Sequence, residues 1–200
     1  TIKSKSVLSI SEFKTLGRNA FRKEYSVLVS TKATVNLGDI CYMSKGMVIN
    51  ADEKTFQGAF AKDDLISEVM TKIYSRKYIE GKDIDSYIIK RIRFLEWGTK
   101  RVPDQLSRPT FPELYKLPKI MRGRVTPGIY DESGLVCNDS IVVFVKFKDL
   151  HGVNNKSIQN SIKKFNKKNR SQLETISEKF DLKYLLAILN SSFAFKYLNN

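Results

Sequence analysis

The sequence predicts an α+β fold, a curved mixed or antiparallel sheet with C-terminal helices packed at its end. Three observations predict it. Residues 119–147 alternate short apolar runs with turn residues, the pattern of consecutive strands. Residues 158–198 carry apolar side chains at helical spacing. Hydrophobic residues make up 42% of 200 positions, enough for a buried core and too many for a disordered tail.

The elements follow in chain order. Val7, Ile10, Phe13 and Leu16 recur at spacing three, so a short helix is expected over residues 9–16, ended by Gly17. Tyr25 to Ser30 reads as a strand. Asp39 to Met43, a turn at Gly46, and Met47 to Ile49 read as strand, turn and strand. A helical turn is expected over Asp63 to Met70, and strands at Tyr78-Ile79 and from Tyr87 to Trp97. Residues 99–118 hold four of the five prolines, Pro103, Pro109, Pro112 and Pro118, and so read as a loop. Then come strands at 119–125, 129–130, 135–137 and 140–147, read as a β-meander. Ile141-Val-Val-Phe-Val145 is continuously apolar, as a strand buried on both faces would be.

Ile158, Ile162 and Phe165 share a helix face, and Ser171 with Glu174 has capping-box spacing before a second helix. Asp181 is placed to cap a last helix from Leu182 to Leu198. Its Leu185, Leu186 and Leu189 are expected to pack inward. Its second half, around Phe193, Phe195 and Tyr197, is expected to stay uncovered.

Composition narrows the function classes. The longest apolar runs fall far short of a membrane span, and residues 1–30 lack the apolar centre of a signal peptide. The chain opens on Thr1 and is read as a piece of a longer protein. Two cysteines, Cys41 and Cys137, make no disulfide framework, which fits a reducing, cytoplasmic setting. With one histidine, the chain has too few soft ligands for a structural zinc site. It has no glycine-rich nucleotide loop and no nucleophile-elbow motif. Net charge is +14, an excess that attracts polyanions, nucleic acid first among them.

Four clusters are candidates for nucleic-acid contact. The first is Lys90-Arg-Ile-Arg-Phe-Leu-Glu-Trp97, whose Arg91 and Arg93 would share one face of a strand. A guanidinium fork suits guanine edges and phosphates alike. The second is the proline-stiffened loop with Arg101, Gln105 and Arg108. The third is Lys119, Arg122 and Arg124, with ion pairing to Glu113 or Asp131 as the structural alternative. The fourth is Lys156 to Arg170, six basic residues with no acid, including Lys163, Lys164, Lys167 and Lys168. Such a helix would hold phosphates without reading bases, or be only a solvated face.

A rival reading is a Mg²⁺-dependent nuclease built on Glu80-Gly-Lys82 with Asp63 or Asp64, although Gly81 suits a turn better than the strand such a core needs. A basic protein-interaction module is the other rival.

Several segments, in order, resemble one family. They are Leu37-Gly-Asp-Ile40 with Lys45-Gly46, Tyr78-Ile-Glu-Gly-Lys-Asp-Ile84, Arg91-Ile-Arg-Phe-Leu-Glu-Trp-Gly98 and Arg108-Pro-Thr-Phe-Pro-Glu-Leu114. Further along come Pro118-Lys-Ile-Met-Arg-Gly-Arg124, Leu135-Val-Cys-Asn-Asp-Ser-Ile141 and Leu182-Lys-Tyr-Leu-Leu-Ala-Ile-Leu-Asn-Ser191. Together they look like the TaqI-like C-terminal specificity domain, the target recognition domain of adenine-specific DNA methyltransferases and type IIG restriction-modification enzymes.

The resemblance implies a target-recognition-domain-like fold over residues 35–200 that binds and selects double-stranded DNA, and it adds Lys45 to the DNA-contact candidates. Residues 1–34 would then be a connector from an upstream methyltransferase domain. The family's Asn-Pro-Pro-aromatic loop and S-adenosylmethionine loop do not occur in these residues. The fragment is thus expected to be non-catalytic and to need no cofactor of its own. S-adenosylmethionine and Mg²⁺ would act in other parts of the parent enzyme.

Overall fold

Strand β10, Ile141–Lys146, is the strand about which a computed structural model of the chain organises. The structure describes residues 35–49, 62–85, 87–99, 111–116, 118–123, 126–165, 167–192 and 194. All lie in the unit that runs from Val35 to Asn200. The expected connector, with its helix at 9–16 and strand at 25–30, lies outside the described residues.

Five of the six β10 side chains are apolar, and both faces are covered. Ile141, Val143 and Val145 point into the main core, while Val142 and Phe144 face a second cluster. Burying each of the first three contributes about 1.5–3 kcal/mol. This confirms the reading of that run as a strand buried on both sides.

β10 lies between β1 (Cys41–Lys45), which follows the short helix α1 (Leu37–Ile40), and β7 (Lys119–Gly123), and β7 also pairs with β8 (Gly128–Asp131). All three pairings are antiparallel. A second sheet has the order β2 (Ile66–Ser67), β6 (Arg93–Glu96), β3 (Tyr74–Ile79), β9 (Val136–Cys137), with β3 and β9 parallel. β4 (Ile84–Asp85) and β5 (Ile88–Ile89) form a separate hairpin.

The described chain is therefore α+β, but its strands form two four-stranded sheets rather than one curved sheet. The expected meander is broken at β9, which leaves β8 to join the second sheet before β10 returns to β7. Residues 47–49 form no hairpin with β1, because Met47 instead bridges to Asn138. Residues 87–97 break into β5 and β6, with Tyr87 at φ 73° in the turn between β4 and β5. Only the first half of the helical turn expected from Asp63 forms, as a 3₁₀ turn over Lys62–Leu65.

Both sheets close on one core. Tyr42, Met121, Val143 and Val145 meet Tyr78, Leu95 and Val136, sealed by Leu114 and Tyr115 of α2 (Glu113–Lys116). Helices α3 (Lys156–Phe165) and α4 (Arg170–Glu178) add Ile158 and Leu173. The capping box at α4 is formed by Asn169 and Gln172, two residues earlier than the expected Ser171 and Glu174. Asn169 has the extended backbone that a cap needs, whereas Ser171 is already helical.

Helix α5 (Leu182–Leu189) starts at Asp181, whose side chain accepts from the Lys183 and Tyr184 amides as expected. It lays Leu182, Leu185 and Leu189 on the opposite face of the first sheet, against Ile120 and Phe144, with Leu186 half-buried. α5 stops at Leu189 rather than running to Leu198. The Asn190 side chain turns back and grips the main chain of Gly128, accepting from its N–H at 2.7 Å and donating to its C=O at 2.9 Å. The expectation about Phe193, Phe195 and Tyr197 lies outside the described residues. No described helix is long and apolar enough to cross a membrane.

Candidate nucleic-acid interface

The pairing of the first sheet leaves β1 as one of its two outer strands. Helix α3 runs beside that strand, tied to it by a 2.9 Å hydrogen bond between the Tyr42 and Ser157 hydroxyls. A groove opens between them. One wall carries Met43, Ser44 and Lys45, and the other Ser157, Asn160, Ser161 and Lys164. The sequence places these groups by two periods: Lys45 and Met43 alternate outward from β1, while 157, 160, 161 and 164 fall on one side of α3. Ile158 is buried and Ile162 half-buried, which anchors α3 to the core and leaves Lys156, Lys163 and Lys164 exposed.

Lys167 beyond the helix is also exposed. Lys168 is tied down: its ammonium sits 2.9 Å from the buried Asp39 carboxylate. Arg170 is engaged as well, by Glu174 at 2.6 Å and the Leu150 carbonyl at 2.6 Å. Of the lysine-rich run, then, the exposed portion is Lys156, Lys163, Lys164 and Lys167. His151 turns to Glu174 at 2.7 Å, consistent with a turn residue held by an acid.

The arginine clusters divide differently from the expectation. Arg91 and Arg93 do not share a face. Arg91 precedes β6 and is exposed, with its fork on Glu68; Arg93 opens β6 and is buried. Arg93 lies 2.7 Å from Asp83, 3.2 Å from Glu80 and over the Tyr78 ring. Two carboxylates hold this guanidinium inside, so it is a structural cation and not a surface one. Arg122 is also buried, in the middle of a sheet rather than on a solvated strand face. Lys119 is fully buried and pairs with Asp131 while donating to the Tyr115 carbonyl at 2.8 Å, the ion-pair alternative for that position. Arg101, Gln105, Arg108 and Arg124 lie outside the described residues.

Glu80 has the environment of an ion-pair hub. It receives Lys62, Lys82, Arg93 and the Tyr78 hydroxyl. Burial alone would raise its pKa, but these four donors outweigh burial and hold it at about 2. Residues 81–83 form a 3₁₀ turn closed by a reciprocal capping box between Glu80 and Asp83. Glu80 and Lys82 thus bond to each other on a turn, and Asp63 and Asp64 are exposed on a different turn. Among the described residues no three metal-ligating side chains group together. Both thiols are buried and free, and burial pushes the Cys41 thiol up to about 12.

Sequence reasoning missed Ser44, Ser157, Asn160 and Ser161 as groove residues. Their polarity along one side of the helix was visible, but only the seating of α3 beside β1 makes it a wall. A scan against protein-family models and a search of curated proteins found no match to this chain.

Proposed function

We propose that the chain is a sequence-specific double-stranded DNA recognition module of a restriction-modification enzyme. It would direct adenine N6 methylation, and cleavage where the parent chain also cuts, carried out by other domains of that chain with S-adenosylmethionine and Mg²⁺. The observation that supports DNA contact is the groove between β1 and α3, with Lys45 on one wall and Lys164 on the other. Hydroxyl and amide groups line the space between, and the exposed Lys163 and Lys167 flank it. Lysines neutralise phosphates by releasing counterions, while short hydroxyl and amide side chains donate to phosphate oxygens and fix register. The assignment to restriction-modification rests on the ordered sequence segments quoted above.

In this reading the lysine wall positions the duplex. Base selection falls to side chains of the proline-rich loop, where Gln105 and Arg108 have the chemistry of major-groove readers. The test is selection of bound duplexes from a randomised pool by the purified chain, followed by sequencing. An enriched motif supports the reading. Binding without enrichment reduces the chain to a polyanion binder, and Mg²⁺-dependent plasmid cleavage by the same preparation would favour the nuclease reading.

A further inference from the structure

Three basic side chains are buried among the described residues: Arg93, Lys119 and Arg122. Arg93 is held by Asp83 and Glu80, and Lys119 by Asp131. Arg122 is only 8% exposed, yet neither its Nε nor its Nη2 has a hydrogen-bond partner. Buried charges are ordinarily paired, because an ion taken from water without a partner loses its solvation uncompensated.

The two unpartnered atoms are informative. Nε–H and Nη2–H point the same way from one edge of the guanidinium, as the parallel pair that grips two oxygens of one anion. Arg91 uses that same edge on the two Glu68 oxygens. In Arg122 both nitrogens of that edge are buried without a partner.

Its surroundings are basic. Arg122 stands opposite Val142, which stands opposite Lys45, so the three lie in one row across the sheet and project to one face. On the other side the row ends at Gly128, whose backbone is occupied by Asn190. The row contains no acid. Lys45 is exposed and belongs to the groove wall, about 10 Å from Arg122 at two strand spacings.

We propose that Arg122 is an oxyanion-binding residue: its fork takes two oxygens of a phosphate group at the end of the first sheet, with Lys45 on the same row drawing the anion in. The source is either a free phosphate or a phosphodiester of a bound strand. The free-anion form stands without the DNA reading, and the phosphodiester form deepens it.

The experiment measures the melting temperature of the whole chain in phosphate, acetate and chloride at matched ionic strength, for the native protein and for Arg122→Met and Arg122→Lys. Phosphate should raise the native melting point beyond acetate or chloride, by about 3 °C at a roughly tenfold excess over Kd. Arg122→Met should abolish that difference while melting no lower than the native protein in chloride, because it removes a buried charge that nothing pairs. Arg122→Lys, which lacks the fork, should lose most of the phosphate response.

A marked drop in the chloride melting point of Arg122→Met would overturn the proposal, since it would mean that Arg122 is already satisfied within the protein or by a trapped water. Equal native melting points in the three salts would overturn it without any variant. A short duplex separates the sources: a phosphodiester shows as about tenfold weaker binding by Arg122→Met, a free anion as unchanged duplex affinity. If no duplex binds but the phosphate response persists, the DNA reading falls and the anion site stands.

Discussion

Glu80 and Arg93 show how a charged side chain becomes part of a core. The Glu80 carboxylate lies beneath Lys62 and Lys82 and beside the Tyr78 hydroxyl, while Arg93 bridges it to Asp83. The folded pKa of about 2 lies below the ordinary value near 4.5. The stability linked to Glu80 is therefore fully present above pH about 5 and is lost as pH falls toward 2. The shift corresponds to roughly 3 kcal/mol. Glu80→Gln should lose about that amount at neutral pH, measured by urea unfolding, and should flatten the fall in stability between pH 5 and 2. Lys119 is the opposite case, a buried cation whose charged form burial disfavours. Burial lowers its pKa, and Asp131 opposes that by favouring the charged form. Lys119→Met strands the Asp131 carboxylate inside, with only the Ser133 and Leu135 groups left to bond it, and should cost about 3–5 kcal/mol.

Elements meet through a few close contacts. β1 is followed by Gly46, where the chain passes the end of β9 so tightly that a Cβ would lie 2.2 Å from the Asn138 carbonyl oxygen and 2.5 Å from that of Cys137. Both obstacles are backbone, so neither can rotate away. Gly46→Ala should cost about 3 kcal/mol or more, or prevent folding, with Gly98→Ala as a contrast whose strain is conformational because nothing stands near its Cβ. The Asn190 clamp on Gly128 works in the opposite sense, as two hydrogen bonds that stop α5 and fasten it to β8. Asn190→Ala should lower stability by about 1–3 kcal/mol, and hydrogen exchange should rise first in α5.

At the scale of the whole molecule the excess charge is the governing quantity. If about six phosphates are neutralised, log affinity for duplex DNA should fall against log salt with a slope near −5. Fluorescence anisotropy across a salt series reads this directly, and a slope near zero would remove the electrostatic argument. Lys163→Ala with Lys164→Ala should weaken every duplex alike and reduce the slope by about 2, since both lysines would contact phosphates and not bases.

Several features of this protein follow from the sequence by itself. Ile141 to Val145 had to be buried on both faces, because five consecutive apolar side chains leave neither face of a strand for water. Asp181 had to start a helix, because its carboxylate serves free amides and an apolar stripe follows. The polar side of α3 and the overall basic charge are likewise local or additive properties, so they can be read without a fold. The strand partners are not local. β9 looks like the third strand of a meander, and its departure to pair with β3 depends on residues nearly 60 positions away. The fate of each arginine is decided in the same way. Arg91, Arg93 and Arg122 are alike in sequence terms, each a cation beside an apolar residue. Tertiary structure alone brings Glu68 to the first and Asp83 with Glu80 to the second, and brings no acid to the third, because ion pairing acts over a few ångströms of space and is indifferent to distance along the chain.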